Sequence, residues 1–204
     1  MDDDAVEVGN LHRLMALDDS FIGDRKTDAL ARVLRDRHGA TVDVRHERVS
    51  PDNALALMAG FSLIIEGTDN FASKFLIADA AMLAGVAVVH GAAVRWGGTV
   101  LTVRPAVDAC YRCVFEDIPA GDALDCATAG IFGPITAAIG GLMAQQARDV
   151  LMGRDTSEHA MIEFDLLRGV CRGVPLRRRA DCPLCGADRT ILSIEADRYL
   201  QPEC

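Results

Sequence analysis

Positive charge is in short supply in this sequence: 21 Lys and Arg stand against 30 Asp and Glu, a formal net charge of -9. General nucleic-acid binding needs a basic surface to displace counterions from phosphates, so that class is excluded. A local basic pocket for a nucleotide is not. The longest basic run, Arg177-Arg178-Arg179, reads as a solvated strand end or loop. No N-terminal stretch has the basic-then-apolar layout of a signal peptide. No apolar run reads as a membrane span; the nearest, residues 129–143, is interrupted by glycines and suits a buried helix. A soluble, cytoplasmic protein is expected. Internal repeats and low-complexity linkers are also missing. A single domain over residues 1–204 is therefore expected from a chain with half its residues apolar.

What is present is an alternation of helical and strand patterns. From Arg25, the residues Ala29, Leu30, Val33 and Leu34 recur at helical spacing and stop at His38-Gly39. Residues 41–47 alternate, with Val42 and Val44 on one face, and predict a strand. A short helix is expected over 52–58, after Ser50-Pro51. The continuous apolar run 61–66 predicts a strand buried on both faces. A helix over 72–84 ends at Gly85, and 86–90 predicts a second buried strand. This order indicates a parallel sheet with crossover helices. Further on, strands are expected over 97–103, 161–167 and 170–176, the last two as a hairpin, with a long apolar helix over 134–152 between them.

Seven cysteines are an odd number, and four of them form two tight pairs. Cys110-Tyr111-Arg112-Cys113 and Cys182-Pro183-Leu184-Cys185 are C-x-x-C knuckles, each able to turn two thiolates toward one ion. In a reducing compartment this favours a metal over disulfides. Four thiolates make a tetrahedral site that suits Zn²⁺ and is closed to water, hence structural. It would pin the end of the chain to a segment some seventy residues earlier. Cys126 stands alone in a polar stretch, beside Asp125, which tends to raise its pKa; its plain reading is a thiol without a task. Cys171, in a strand-like run, is expected to pack.

Several polar residues fall near strand ends, where open parallel sheets bind ligands. Asp69 suits Mg²⁺, a hard cation held by one or two carboxylates plus phosphates; by spacing alone, Asp69 or Asn70 serves equally as the cap of the following helix. Asn10 and Arg13 lie three apart and Lys26 opens a helix. Cations there can hold phosphates or simply be solvated. Asp2, Asp3 and Asp4 read as an acidic N-terminus or as a carboxylate for a ribose hydroxyl.

In order and spacing these fragments resemble one family. The run Asp2-Asp3-Asp4-Ala5-Val6-Glu7-Val8-Gly9-Asn10-Leu11-His12-Arg13 is similar to its D-x-D-x-V-x-x-S-N-L-x-R-Q segment. Ile22-Gly23-Asp24-Arg25-Lys26 is similar to I-G-x-x-K, and Gly67-Thr68-Asp69-Asn70 to C-T-D-N. The knuckles match its zinc ligands, and Cys126-Ala127-Thr128-Ala129-Gly130 with Gly133-Pro134 matches C-x-x-A-G-x-x-G-P. The sequence resembles the ThiF/MoeB/HesA family, bacterial relatives of ubiquitin-activating enzymes, to about Gly186.

The resemblance implies a Rossmann-like α/β fold: a mostly parallel sheet with crossover helices, incomplete at its N-terminus, plus an antiparallel extension and a four-cysteine zinc site. It implies an enzyme that uses ATP and Mg²⁺ to adenylylate the C-terminal Gly-Gly carboxylate of a ubiquitin-like sulfur-carrier protein. The carrier then becomes a thiocarboxylate for thiamine, molybdopterin or related sulfur biosynthesis, with a sulfurtransferase or cysteine desulfurase as a further partner. By matching position, Asp2 would hold the ribose with Asp4 nearby, Asn10, Arg13 and Lys26 the phosphates, and Asp69, beside Asn70, the Mg²⁺. Cys126 matches a position that some members use for thioester or persulfide chemistry. A homodimer is also implied.

The sequence departs from the family in having no G-x-G-x-x-G, the loop whose N–H groups cradle the nucleotide. Gly97-Gly98 is no substitute, because it opens a strand with no helix following. The expectation is a sheet short of its first strand and helix. With it comes an alternative function, a non-catalytic zinc-stabilised partner or carrier-binding scaffold. A dehydratase-type relative acting on a modified tRNA base fits the acidic balance less well. Leu14, Gly9, Glu66-Gly67 and Lys74 replace the family's Gln, Ser, Asp-Cys and Arg.

Overall fold

The structure, a computed structural model, describes residues 1–119, 129–155 and 161–200. It divides into two compact units, Met1–Arg48 and Val49–Cys204. Among the described residues no helix is long and apolar enough to cross a membrane.

The first unit is organised by helix α1, Lys26–His38. Ala29 and Val33 sit four apart on its buried face and pack with Val6 and Phe21. Asp28 in the first turn and Arg35, Arg37 and His38 in the last complement the helix dipole. Gly39 ends it at φ 64°, a left-handed conformation that places its N–H on the Arg35 and Leu34 carbonyls. The N-terminal segment lies antiparallel to residues 23–26. Gly23 N–H donates to Val6 O at 2.9 Å, and Lys26 N–H to Asp4 O at 3.0 Å.

One expectation fails here. Residues 41–47 form no strand, and Val42 is 44% exposed. Alternation alone does not make a strand; a ladder partner must satisfy the backbone. That segment joins no ladder; Asp2 N–H donates to Arg45 O at 3.3 Å.

The second unit is a five-stranded sheet in the order β1-β2-β3-β4-β5. The strands are β1 Leu63–Glu66, β2 Ala87–Val94, β3 Gly97–Val103, β4 Met161–Asp165 and β5 Val170–Val174. The helices are α2 Ala54–Met58, α3 Phe71–Ala84, α4 Tyr111–Phe115 and α5 Gly133–Leu151. Helix α3 is the crossover that makes β1 and β2 parallel. The other pairings are antiparallel, so the sheet joins the expected parallel crossover pair to the expected antiparallel extension. The reason is connection length: β2 reaches β3 through Arg95-Trp96 alone, and β4 reaches β5 through a turn at 166–169, both too short for a crossover.

Alternate residues of β2 separate two apolar layers. Val88 packs with Phe75, Leu76 and Leu101 on the α3 side. Val89 packs with Val100, Ile135, Ile139 and Met143 on the α5 side. Phe75 is fully enclosed, and truncating such a side chain costs about 3–5 kcal/mol. Helix α5 approaches the sheet closely: a Cβ on Gly91 would lie 2.2 Å from Met143 Sδ, and one on Gly98 would lie 2.9 Å from Ile139 Cδ1.

Three burial expectations need correction. Strand β1 is not buried on both faces: Phe61 is 54% and Ile65 57% exposed, because β1 pairs along one edge only and α5 lies mainly over β2 and β3. Helix α5 buries one stripe, Ile135, Ile139, Met143 and Ala147, rather than its whole surface. Cys171 does not pack; it is exposed on β5, the outer strand of the sheet.

Candidate active site and metal centre

In the first unit, the short antiparallel bridge brings Asp4 to Lys26. Lys26 Nζ donates to Asp4 Oδ2 at 2.7 Å. Arg48 binds the same cluster, with Nε 2.6 Å from Asp3 Oδ1 and Nη2 2.9 Å from Asp4 Oδ1. Asp2 Oδ1 accepts the Asp4 N–H at 2.8 Å. The hydrogen bond from Lys26 holds the Asp4 carboxyl below its ordinary range. Asn10 and Arg13 share one turn: Arg13 N–H donates to Asn10 O at 3.0 Å, and the Arg13 guanidinium reaches Gly9 O at 3.0 Å. Asn10 is buried, and among the described residues its Oδ1 has no hydrogen-bond partner. Rotating that amide presents an N–H₂ instead, so the residue can offer a ligand either an acceptor or a donor. Sequence reasoning missed Arg48, which lies 44 residues from Asp4 and is joined to it only by folding.

In the second unit, Asp69 and Asn70 occupy the turn between β1 and α3. Asn70 is the helix cap: its Oδ1 accepts the Ser73 N–H at 2.8 Å. Asp69 is exposed and, among the described residues, accepts no hydrogen bond and forms no ion pair. The spacing argument thus resolves in favour of Asn70 as the cap, which leaves Asp69 free to act as a ligand. Beneath the turn lies a polar cluster that the sequence did not reveal, made of Glu66, Lys74 and His90. Its one signal is a lysine inside the mostly apolar helix Phe71–Ala84. Lys74 Nζ is 3.1 and 3.0 Å from the two Glu66 oxygens, and His90 Nδ1 is 3.0 Å from Oε2. Burial alone would raise the Glu66 carboxyl. The His90 hydrogen bond and the Lys74 charge outweigh it and bring the pKa to about 2. Burial holds His90 neutral, pushing it below its ordinary value. Its Nδ1–H donates to Glu66, and among the described residues its buried Nε2 has no partner.

The four knuckle cysteines converge. Cys110 Sγ lies 3.7 Å from Cys113 Sγ and 3.4 Å from Cys182 Sγ, and Cys113 Sγ lies 3.4 Å from Cys185 Sγ. Zn–S bonds of about 2.3 Å in a tetrahedron put sulfurs about 3.8 Å apart, so the donor set fits that ion. Burial pushes the Cys110 thiol well up. Burial would raise Cys182 too, but the N–H groups of Cys185 and Leu184 outweigh it and bring it to about 7. Tyr111, inside the first knuckle, packs on His90 at 4.8 Å and on Phe75 at 5.0 Å between ring centroids. Cys126 lies outside the described residues.

The described residues thus combine a crossover α/β unit, an exposed carboxylate after its first strand and a four-cysteine cluster. Residues 1–184 match the ThiF family, and the chain belongs to that family. It is 33% identical over 196 residues to the sulfur carrier protein adenylyltransferase of Thermus thermophilus, covering 92% of this chain and 72% of that protein. It is 31% identical over 207 residues to the SAMP-activating enzyme E1 of Haloferax volcanii, covering 98% and 75%. With the adenylyltransferase and sulfurtransferase MOCS3 of Sus scrofa it shares 32% identity, across 96% of this chain but 44% of that one. A crystal structure of E. coli MccB has the same fold, with a TM-score of 0.78 at 16% identity over 91% of this chain and 58% of that one.

Proposed function

We propose that this chain adenylylates the C-terminal Gly-Gly carboxylate of a ubiquitin-like sulfur-carrier protein at the expense of ATP. The observation that carries the reading is the 33% identity, over nearly the whole chain, to a sulfur carrier protein adenylyltransferase. In this reaction a carboxylate oxygen of the carrier attacks the α-phosphorus of ATP, the bond to the bridging oxygen breaks, and pyrophosphate leaves. Two anions must meet and charge must move onto the leaving group, so the protein's task is positioning and electrostatic stabilisation. Arg13 and Lys26 supply the cationic charge for the phosphates, and the buried Asn10 amide a donor to them. Asp2 and Asp4 offer acceptors for ribose hydroxyls. Asp69 would hold Mg²⁺, which when bound neutralises phosphate charge.

Cys110, Cys113, Cys182 and Cys185 would hold a structural Zn²⁺, supported by their fit to a tetrahedral thiolate site. On resemblance alone we assign Cys126 to sulfur or thioester transfer, and a homodimer in the cytoplasm as the working form. Sedimentation showing only monomer at working concentration would remove the dimer.

The test is chemical trapping. With ATP, Mg²⁺ and a carrier ending in Gly-Gly, hydroxylamine should convert the activated carboxyl to a hydroxamate, and no hydroxamate should form when the terminal glycine is deleted. Hydroxamate formed equally from both carriers would overturn the assignment.

A further inference from the structure

Glu66 ends β1 three residues before Asp69, and its side chain is fully enclosed. Its Oε1 accepts both donors of Thr68, the backbone N–H at 2.5 Å and the hydroxyl at 2.6 Å. Lys74, in the first turn of α3, grips both carboxylate oxygens and also donates to Gly91 O in β2 at 2.7 Å. His90 takes the remaining face of Oε2. One carboxylate therefore joins the end of β1, the following turn, the start of α3 and β2.

We propose that Glu66, with Lys74 behind it, is the positioning residue for the Asp69 turn, a role that rests on the reading of Asp69 as the divalent-cation ligand. Asp69 lies between two fixed neighbours. Thr68 is held by Glu66, and Asn70 is held as the cap of α3 through Ser73. Asp69 itself makes no such bond among the described residues, so the direction in which its carboxylate leaves the turn is set by the residues on either side. Holding a ligand in its working direction beforehand removes the orientational cost of binding. Stability is a weaker explanation for the cluster: a buried ion pair is often no better than apolar residues of the same volume. An apolar side chain at position 66 would pack between the elements and leave both Thr68 donors unheld.

The experiment compares wild type with Glu66→Gln, Thr68→Val and Asp69→Asn in two readouts. One is Mn²⁺ binding in the presence of ATP, followed by water-proton relaxation. The other is hydrogen exchange of the Thr68 amide. Glu66→Gln should bind Mn²⁺ about 10–100-fold more weakly and lose Thr68 amide protection. Thr68→Val leaves the buried pair whole and removes one donor, so it should weaken Mn²⁺ binding about threefold, and it carries the test if Glu66→Gln fails to fold. Asp69→Asn should weaken Mn²⁺ at least as much while Thr68 stays protected. If Asp69→Asn weakens Mn²⁺ and the other two variants do not, positioning is overturned. If Asp69→Asn has no effect, the metal reading is overturned, and Thr68 protection in Glu66→Gln decides positioning by itself: retained protection refutes it.

Discussion

Arg112, inside the first cysteine knuckle, forks onto the carboxylate of Asp79 in the middle of α3, with Nε 2.9 Å from Oδ1 and Nη2 2.9 Å from Oδ2. Both side chains are almost fully enclosed. The Tyr199 hydroxyl donates to the same Oδ2 at 2.9 Å. The pair fastens the cysteine knuckle to the helix whose first turn follows Asp69. Arg112→Ala leaves a buried carboxylate uncompensated and should cost about 3–5 kcal/mol in denaturant unfolding. Tyr199→Phe removes one charge-assisted bond and should cost about 1.5–3 kcal/mol. Equal small losses from both would show that the fork does not carry the contact.

The thiolate centre predicts a single zinc ion per chain by elemental analysis, lost on Cys182→Ser. Removing it with a chelator should release the segment after Cys182 to proteolysis and lower the melting temperature. Zinc at background level in the purified protein, with the thiols reduced, would contradict the assignment.

Acid should destabilise the second unit in two stages. His90 is held neutral below its ordinary value of 6.5, so as pH falls past 6.5 the unfolded chain takes a proton that the folded chain refuses. Glu66 is held at about 2 against an ordinary 4.5, so its contribution of about 3 kcal/mol is full above 4.5 and is lost as pH falls toward 2. Unfolding free energy measured against pH should fall from about 6.5 downward, and Glu66→Gln should flatten the part below 4.5. A profile that is flat between pH 7 and 4 would refute the account of this cluster.

The elements with strong local signals were legible in the sequence. Helix α1 was bounded by Gly39, α3 by Gly85, and β3 falls over the expected residues 97–103. The knuckles were legible because C-x-x-C spacing is itself geometry. Residues 41–47 misled because alternation describes a strand's faces and not its hydrogen-bond partners. The antiparallel extension was legible too, because the short turn at 166–169 allows only a hairpin between β4 and β5. Arg48, His90 and Asp79 were invisible because each acquires its role from a residue distant in sequence, such as Arg112 for Asp79, 33 positions away. Lys74 was seen only as a substitution for arginine; its burial against Glu66 gives it a reason.

Lys26→Ala removes the point charge assigned above to phosphate and leaves Asp4 paired with Arg48 alone. If Lys26 binds ATP, kcat/KM for ATP should fall about 100-fold or more, with a stability change of about 1 kcal/mol or less, because its partner Asp4 is about half exposed and keeps its bond to Arg48. A change confined to melting temperature would make Lys26 structural.

The central claim is tested most directly by ATP–pyrophosphate exchange in the protein that carries this chain, with and without a ubiquitin-like carrier. The account predicts exchange that requires both Mg²⁺ and an intact Gly-Gly terminus, and that falls by at least about 100-fold in Asp69→Ala while the fold is retained. Exchange that ignores the carrier, or that survives Asp69→Ala undiminished, would contradict it.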